Sequence, residues 1–168
     1  MRVYLSENAF LDLVLSSAEV YKKECFGFLL GYKLADRFII EHAFTVQIAD
    51  RGLKSVEYKD KNLKRIEPIL ARLKKLEKIG DFHSHTQFGL TKGLPIPSRE
   101  DKKEMIPNNI YLIVAINNKE KTMEWGENRD GTISGSVGKF FIKISGHFVN
   151  GKTSLRRARI HCPFPPGF

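Results

Sequence analysis

Residues 80–101 read Gly80-Asp81-Phe82-His83-Ser84-His85, then a Gly- and Pro-containing stretch Thr86–Pro97, then Ser98-Arg99-Glu100-Asp101. These pieces imply a strand end, a loop and a helix start in direct succession. Side chains alternate along a strand, so His83 and His85 share a face with their Cα atoms about 7 Å apart. Two imidazoles so placed either converge on a metal or serve as polar rim residues. Ser98 followed three residues on by an acid is the pattern of a capping box. The same spacing sets Ser98 and Asp101 on one side of a first helical turn, where a carboxylate can supply a third ligand. His, His and Asp with one position open is the layout of a catalytic zinc site, not of a closed structural one. Manganese or Fe(II) can use the same donors.

Working outward, Arg2–Leu5 reads as a short strand with Ser6 as an N-cap. Leu11, Val14, Leu15, Ala18 and Tyr21 recur at helical spacing, so a helix is expected from Glu7 to about Lys23. Cys25–Leu30, ended by Gly31, suits a buried strand. Another strand is expected over Arg37–Val46, after a hairpin loop at Tyr32–Asp36. The stripe Leu63, Ile66, Leu70, Leu73 and Leu76 predicts a helix over Asp60–Lys78, kinked or begun at Pro68 and ended by Gly80. Beyond the central stretch, Ser98–Ile106 forms a short helix and Ile110–Ile116 a central strand. Thr122–Trp125 is a further strand candidate. Phe140–Val149 and Lys152–Ala158 form a hairpin around Asn150-Gly151. Strands and helices mix without strict alternation, so the expected fold class is α/β, a single mixed sheet flanked by helices.

The chain has 168 residues, which favours one domain, and 28 basic against 19 acidic residues give a net charge of +9. With 12 Phe, 5 Tyr and a Trp there is ample material for a core, so disorder is excluded as a description of the whole. No apolar run is long enough to span a membrane, and no secretory signal is evident at the N-terminus. Cys25 and Cys162 cannot make a disulfide framework. A reduced, cytoplasmic setting is the expectation.

A catalytic zinc site also needs a base that is not a ligand. Glu24, at the junction of the first helix and the Cys25–Leu30 strand, is the candidate; its ordinary reading is an acid at a helix end, where acids are slightly unfavourable. Glu24 with the run Phe26-Gly27-Phe28-Leu29-Leu30-Gly31, then His83-Ser84-His85, then Ser98-Arg99-Glu100-Asp101, resembles the JAMM motif of MPN-domain metalloproteases. The resemblance spans about residues 1–126, expected as the catalytic domain. Residues 127–168 are expected as a C-terminal β-hairpin extension and Pro-rich tail of the same domain.

The resemblance implies a cytidine-deaminase-like fold with Zn2+ held by His83, His85 and Asp101. It implies Glu24 as general base and then acid, and Ser98 as donor to the oxyanion of the tetrahedral intermediate. It further implies hydrolysis of a peptide or isopeptide bond, with a ubiquitin-like or sulfur-carrier protein as substrate. Two departures bear on the substrate: Thr86–Pro97 is longer than the family pattern places between the second His and the Ser, and Thr86 stands where Pro is common. The long loop would act as a lid or as a surface that reads the substrate.

Arg51–Lys78 carries ten basic and four acidic residues, either a solvated helix face or a platform for an acidic partner. Lys152, Arg156, Arg157 and Arg159 form a second basic cluster. The alternative function is therefore a catalytically idle, basic binding module for an acidic protein or nucleic acid. His42, His147 and His161 lack partners at ligand spacing and are expected to be structural or solvated. Nothing in the sequence sets the oligomeric state.

Overall fold

The computed structural model describes residues 1–46, 50–51, 56–57, 65–66, 68–72, 75–151 and 154–163. The chain runs β1 (Arg2–Leu5), α1 (Glu7–Glu19), β2 (Phe26–Lys33), β3 (Arg37–Thr45), β4 (Asp50–Arg51), β5 (Val56–Glu57), β6 (Glu77–Thr86), α2 (Arg99–Glu104) and β7 (Ile110–Asn118). It continues with β8 (Gly126–Glu127), β9 (Ile133–Val137), β10 (Phe140–Asn150) and β11 (Ser154–His161). Nine strands form one sheet in the order β11-β1-β3-β2-β6-β7-β10-β9-β8, while β4 and β5 pair separately.

The mixed sheet is present, but it is not an open layer flanked by helices. β11 pairs in parallel with β1 and antiparallel with β10, so seven strands return to their starting point and the sheet closes like a barrel. Closure is possible because β10 is long and divides one edge: Phe140–Ile144 faces β9, and Gly146–Asn150 faces β11. A closed sheet leaves few unpaired backbone groups at its edges. The expected C-terminal hairpin exists, and it is the closing element of the ring.

One core fills the interior. β7 is buried along nearly its whole length and supplies Ile110, Leu112, Val114 and Ile116; β10 adds Ile142 and Ile144, and β11 adds Ala158 and Ile160. α1 contributes Ala9, Phe10, Leu13 and Val14 to the same core. Ser6 caps α1, its side chain accepting from Ala9 N at 3.1 Å. The helix stops at Glu19, short of Lys23: Lys23 N donates back to Val20 O, and Lys22 takes the left-handed conformation (φ 81°) that reverses the chain into β2.

Two other expectations change. β6 begins at Glu77, so the end of the expected Asp60–Lys78 helix is strand; residues 65–66 and 68–70 are helical, and 60–64, 67 and 73–74 lie outside the described residues. Thr122–Trp125 is not a strand: Met123 O accepts from Ser136 N at 2.9 Å, but Met123 N bonds the Ser136 side chain at 3.0 Å, so the pairing does not continue as a ladder. Trp125 lies flat against Gly135, where a Cβ would meet the indole at 2.4 Å, and meets Phe10 edge-on. The strand in this region is β9, which the sequence reading did not resolve. Half of the basic Arg51–Lys78 segment, and the tail beyond Pro163, lie outside the described residues.

Candidate metal centre

β2 and β6 assemble the site. Phe26 pairs with His83, and the ladder runs on as Ser84 N donates to Cys25 O (3.0 Å) and Cys25 N donates to Ser84 Oγ (2.9 Å). One further step along an antiparallel pair puts Glu24 opposite His85, on the face that also carries His83. α2 then brings in Asp101. His83 Nε2 and His85 Nε2 are 3.0 Å apart, and Asp101 Oδ2 lies 3.3 Å from the first and 3.6 Å from the second. A tetrahedral zinc ion with bonds of about 2.0–2.1 Å needs ligand atoms about 3.3 Å apart, so the donor set and its spacing fit. Among the described residues this is the one group of three potential ligands that converges.

The two readings of Ser98 and Asp101 coexist. Asp101 N donates to Ser98 Oγ (3.0 Å) and Ser98 N donates to Asp101 Oδ2 (2.6 Å), a complete capping box. Those bonds fix the oxygen that faces both imidazoles. Ser98 Oγ accepts in this box, so its own proton remains available to donate. His85 is oriented from behind: Nδ1 lies 2.8 Å from Leu94 O. A carbonyl only accepts, so Nδ1 carries the proton and Nε2 presents its lone pair to a metal.

The electrostatics follow the geometry. Burial raises the Glu24 carboxyl, partly offset by His85 and His83 and reinforced by Asp101, which places Glu24 within the field of the cluster. For Asp101, burial pushes upward, but the adjacent His83 and His85 side chains, the charge of His83 and the Ser98 N–H together hold it well below the usual carboxylate range. His85 is raised: burial opposes this, and Asp101, Leu94 O and Glu24 overcome it. Asp81, two residues before His83 on the same face, is pushed up to about 6 by burial.

Thr86–Pro97 is pinned at both legs. Gln87 N extends the ladder to Ile116 O (3.1 Å), and Asn117 grips Gly93 twice, Gly93 N to Asn117 Oδ1 (2.8 Å) and Asn117 Nδ2 to Gly93 O (3.0 Å). Gly93 has to be glycine, since a Cβ there would lie 2.2 Å from His85 O. Between these anchors the tip turns back through Gly89 (φ 57°), with Phe88 and Thr91 exchanging backbone bonds. Phe88 is 74% and Leu90 100% exposed.

The structure thus brings together Glu24, His83, His85, Ser98 and Asp101. The sequence reading missed Leu94 O and Asn117 around them, did not single out Ser145, and named His147 only as structural or solvated; it is buried beside Ser145, a structural place. Signals existed only for these two, polar residues alternating with Ile142, Ile144 and Gly146 on β10. Of the second basic cluster, Arg157 lies 3.5 Å from Asp130 Oδ2 and Arg159 donates to Arg129 O, while Lys152 falls outside the described residues. No helix among the described residues is long and apolar enough to cross a membrane.

No curated protein matches this chain. Among solved structures, protein DSY2949 from Desulfitobacterium hafniense is similar at 16% identity with a TM-score of 0.65, over 95% of this chain and 92% of that one. A protein from Salinibacter ruber is similar at 17% identity with a TM-score of 0.51, over 99% and 94%. At these identities the likeness concerns the fold. The family described as prokaryotic homologs of the JAB domain matches residues 6–127, a span that contains Glu24, both histidines, Ser98 and Asp101. With nearly three quarters of its length so matched, the chain belongs to the prokaryotic JAB-domain family.

Proposed function

We propose that this protein is a zinc-dependent metallopeptidase that hydrolyses a peptide or isopeptide bond at the C-terminal tail of a ubiquitin-like or sulfur-carrier protein. The observation that carries the reading is the convergence of three ligand atoms at 3.0–3.6 Å beside a partly buried carboxyl that is not part of the ligand set. When bound, zinc supplies Lewis acidity at the scissile carbonyl and acidifies water near neutral pH. Glu24 accepts a proton from the attacking water and later delivers one to the leaving amine; a carboxyl raised by burial is the stronger base for the first task. Ser98 donates to the developing oxyanion with the proton that its capping role leaves free. Phe88 and Leu90 offer a substrate an apolar surface at a fixed distance from the ligands, since the legs of their loop are tied to β7.

The test is direct. Protein purified with zinc should contain about one ion per chain, and mass spectrometry should show one amide bond cleaved in a panel of ubiquitin-like conjugates and sulfur-carrier adducts. Zinc binding without cleavage of any member would remove the enzymatic half of the proposal. An absence of zinc binding would remove both halves. Salt-sensitive nucleic-acid binding that a chelator leaves unchanged would favour the binding-module reading instead.

A further inference from the structure

A chain of hydrogen bonds reaches the site from β10, outside the span that the family matches. Ser145 Oγ donates to Pro95 O at 2.8 Å, and Ser145 Oγ and His147 Nε2 are 2.9 Å apart. The Ser145 proton is committed to the Pro95 carbonyl, so His147 Nε2 carries the proton of the second bond and donates it. Both side chains are buried, with Ser145 at 0% and His147 at 4% exposure. Leu94, the residue before Pro95, supplies the carbonyl that accepts from His85 Nδ1. The ladder explains the reach: His83 pairs with Ile113, and Ile113 with Ser145, so Ser145 lies two strands away from a candidate ligand in the same row.

We propose that Ser145, oriented by His147, is a positioning residue for the metal centre. Its hydroxyl holds the Leu94–Pro95 backbone where the Leu94 carbonyl selects the Nδ1–H form of His85 and leaves Nε2 free for the ion. The Asn117–Gly93 pair fixes the segment one residue upstream, and Ser145 fixes it one residue downstream. Without the Ser145 bond the carbonyl can swing with the loop, and the unliganded imidazole distributes its proton between both nitrogens. A structural role alone gives no reason for a change in the proton position on a ring that Ser145 does not touch.

This inference rests on His85 being a metal ligand, so its test reads the ring as well as the ion. In metal-free protein, ¹⁵N shifts of the His85 imidazole should report the Nδ1–H form as the dominant neutral tautomer. Ser145→Ala should give a mixture and weaken zinc binding about tenfold in competition with a chelator, in line with the effect of removing outer hydrogen bonds at metal sites. Ser145→Thr, which keeps the hydroxyl, should restore both. Ser136→Ala removes a comparable serine clamp, on Met123 N and Lys121 O, and should leave both readouts at the parent values. Unchanged tautomer and unchanged affinity in folded Ser145→Ala would overturn the proposal. If that variant does not fold, a dominant Nε2–H form in the unsubstituted protein overturns it equally. Failure of the unsubstituted protein to bind zinc would overturn the metal reading, while the tautomer data would still judge the Ser145 clamp.

Discussion

The stretch from Glu24 through α2 and the stretch from β9 through β11 contribute to the molecule in opposite ways. The first holds every candidate ligand, the candidate base and the long loop, and its chemistry lies in side chains at strand ends and a helix start. The second holds no ligand, yet it closes the sheet and supplies Ile142, Ile144, Ala158 and Ile160 to the core. Its buried polar residues Ser145 and His147 hydrogen-bond toward the loop of the first. Reactive groups and the framework that orients them are therefore encoded far apart, and a motif can identify the former while being silent about the latter.

The sharpest way to break this division is at the base. Glu24→Gln should lower turnover about 10²–10⁴-fold, the usual contribution of general acid–base catalysis, with zinc content and melting temperature retained. If cleavage survived, the first stretch would not carry the chemistry as proposed. Next is Ile160→Ala in β11, which should cost about 2–5 kcal/mol in urea unfolding because Ile160 is fully buried. Zinc affinity of the folded fraction should change less than about threefold by the same measure of additivity between distant sites. A collapse of affinity would mean that closure itself, not specific clamps, shapes the site.

Smaller effects refine the picture within each stretch. Leu90→Asp at the loop tip should raise KM about fivefold, the loss expected for one interface side chain worth about 1 kcal/mol, and leave kcat unchanged. An equal fall in kcat would point to a lid. In the closing stretch, Asp130 is held down to about 2 from an ordinary 3.8, chiefly by Thr132 and then by Lys143. A folded value below the unfolded one stabilises above about pH 4 and is lost as pH falls toward 2. Asp130→Asn should flatten that part of the stability profile, by no more than about 1 kcal/mol for so exposed a group.

Local signals made much of this legible. β1 begins and ends where the sequence reading placed it, Ser6 and Ser98 both cap, and the His83-Ser84-His85 alternation survives in the strand. Glu24 was readable only through the motif, since its place opposite His85 depends on a β2–β6 register that no local pattern specifies. β9 escaped because Ile133-Ser134-Gly135-Ser136-Val137 is small and polar, buried by contact with Trp125 and not by its own hydrophobicity. Closure escaped for a related reason: the β1–β11 pairing joins residues at opposite ends of the chain. The helix stripe that reaches Leu76 was overridden after that residue by the pairing of Glu77 and Lys78 with β2.

That pairing of first and last strands also sets a timetable. Val3 lies beside Ile160, so the ring cannot be sealed until β11 has left the ribosome. Contacts of such long range slow folding, because loop entropy is lost before the contact is gained. Ser145 and His147, too, are synthesised long after His85. During synthesis the histidines and Asp101 precede β10, and on the Ser145 proposal a fully ordered site is expected to form only once β10 has emerged. Metal capture would then follow the emergence of β10, not that of α2. Pulse-labelling of stalled nascent chains, ended before and after residue 161, would show when protection of the β6 amides first appears.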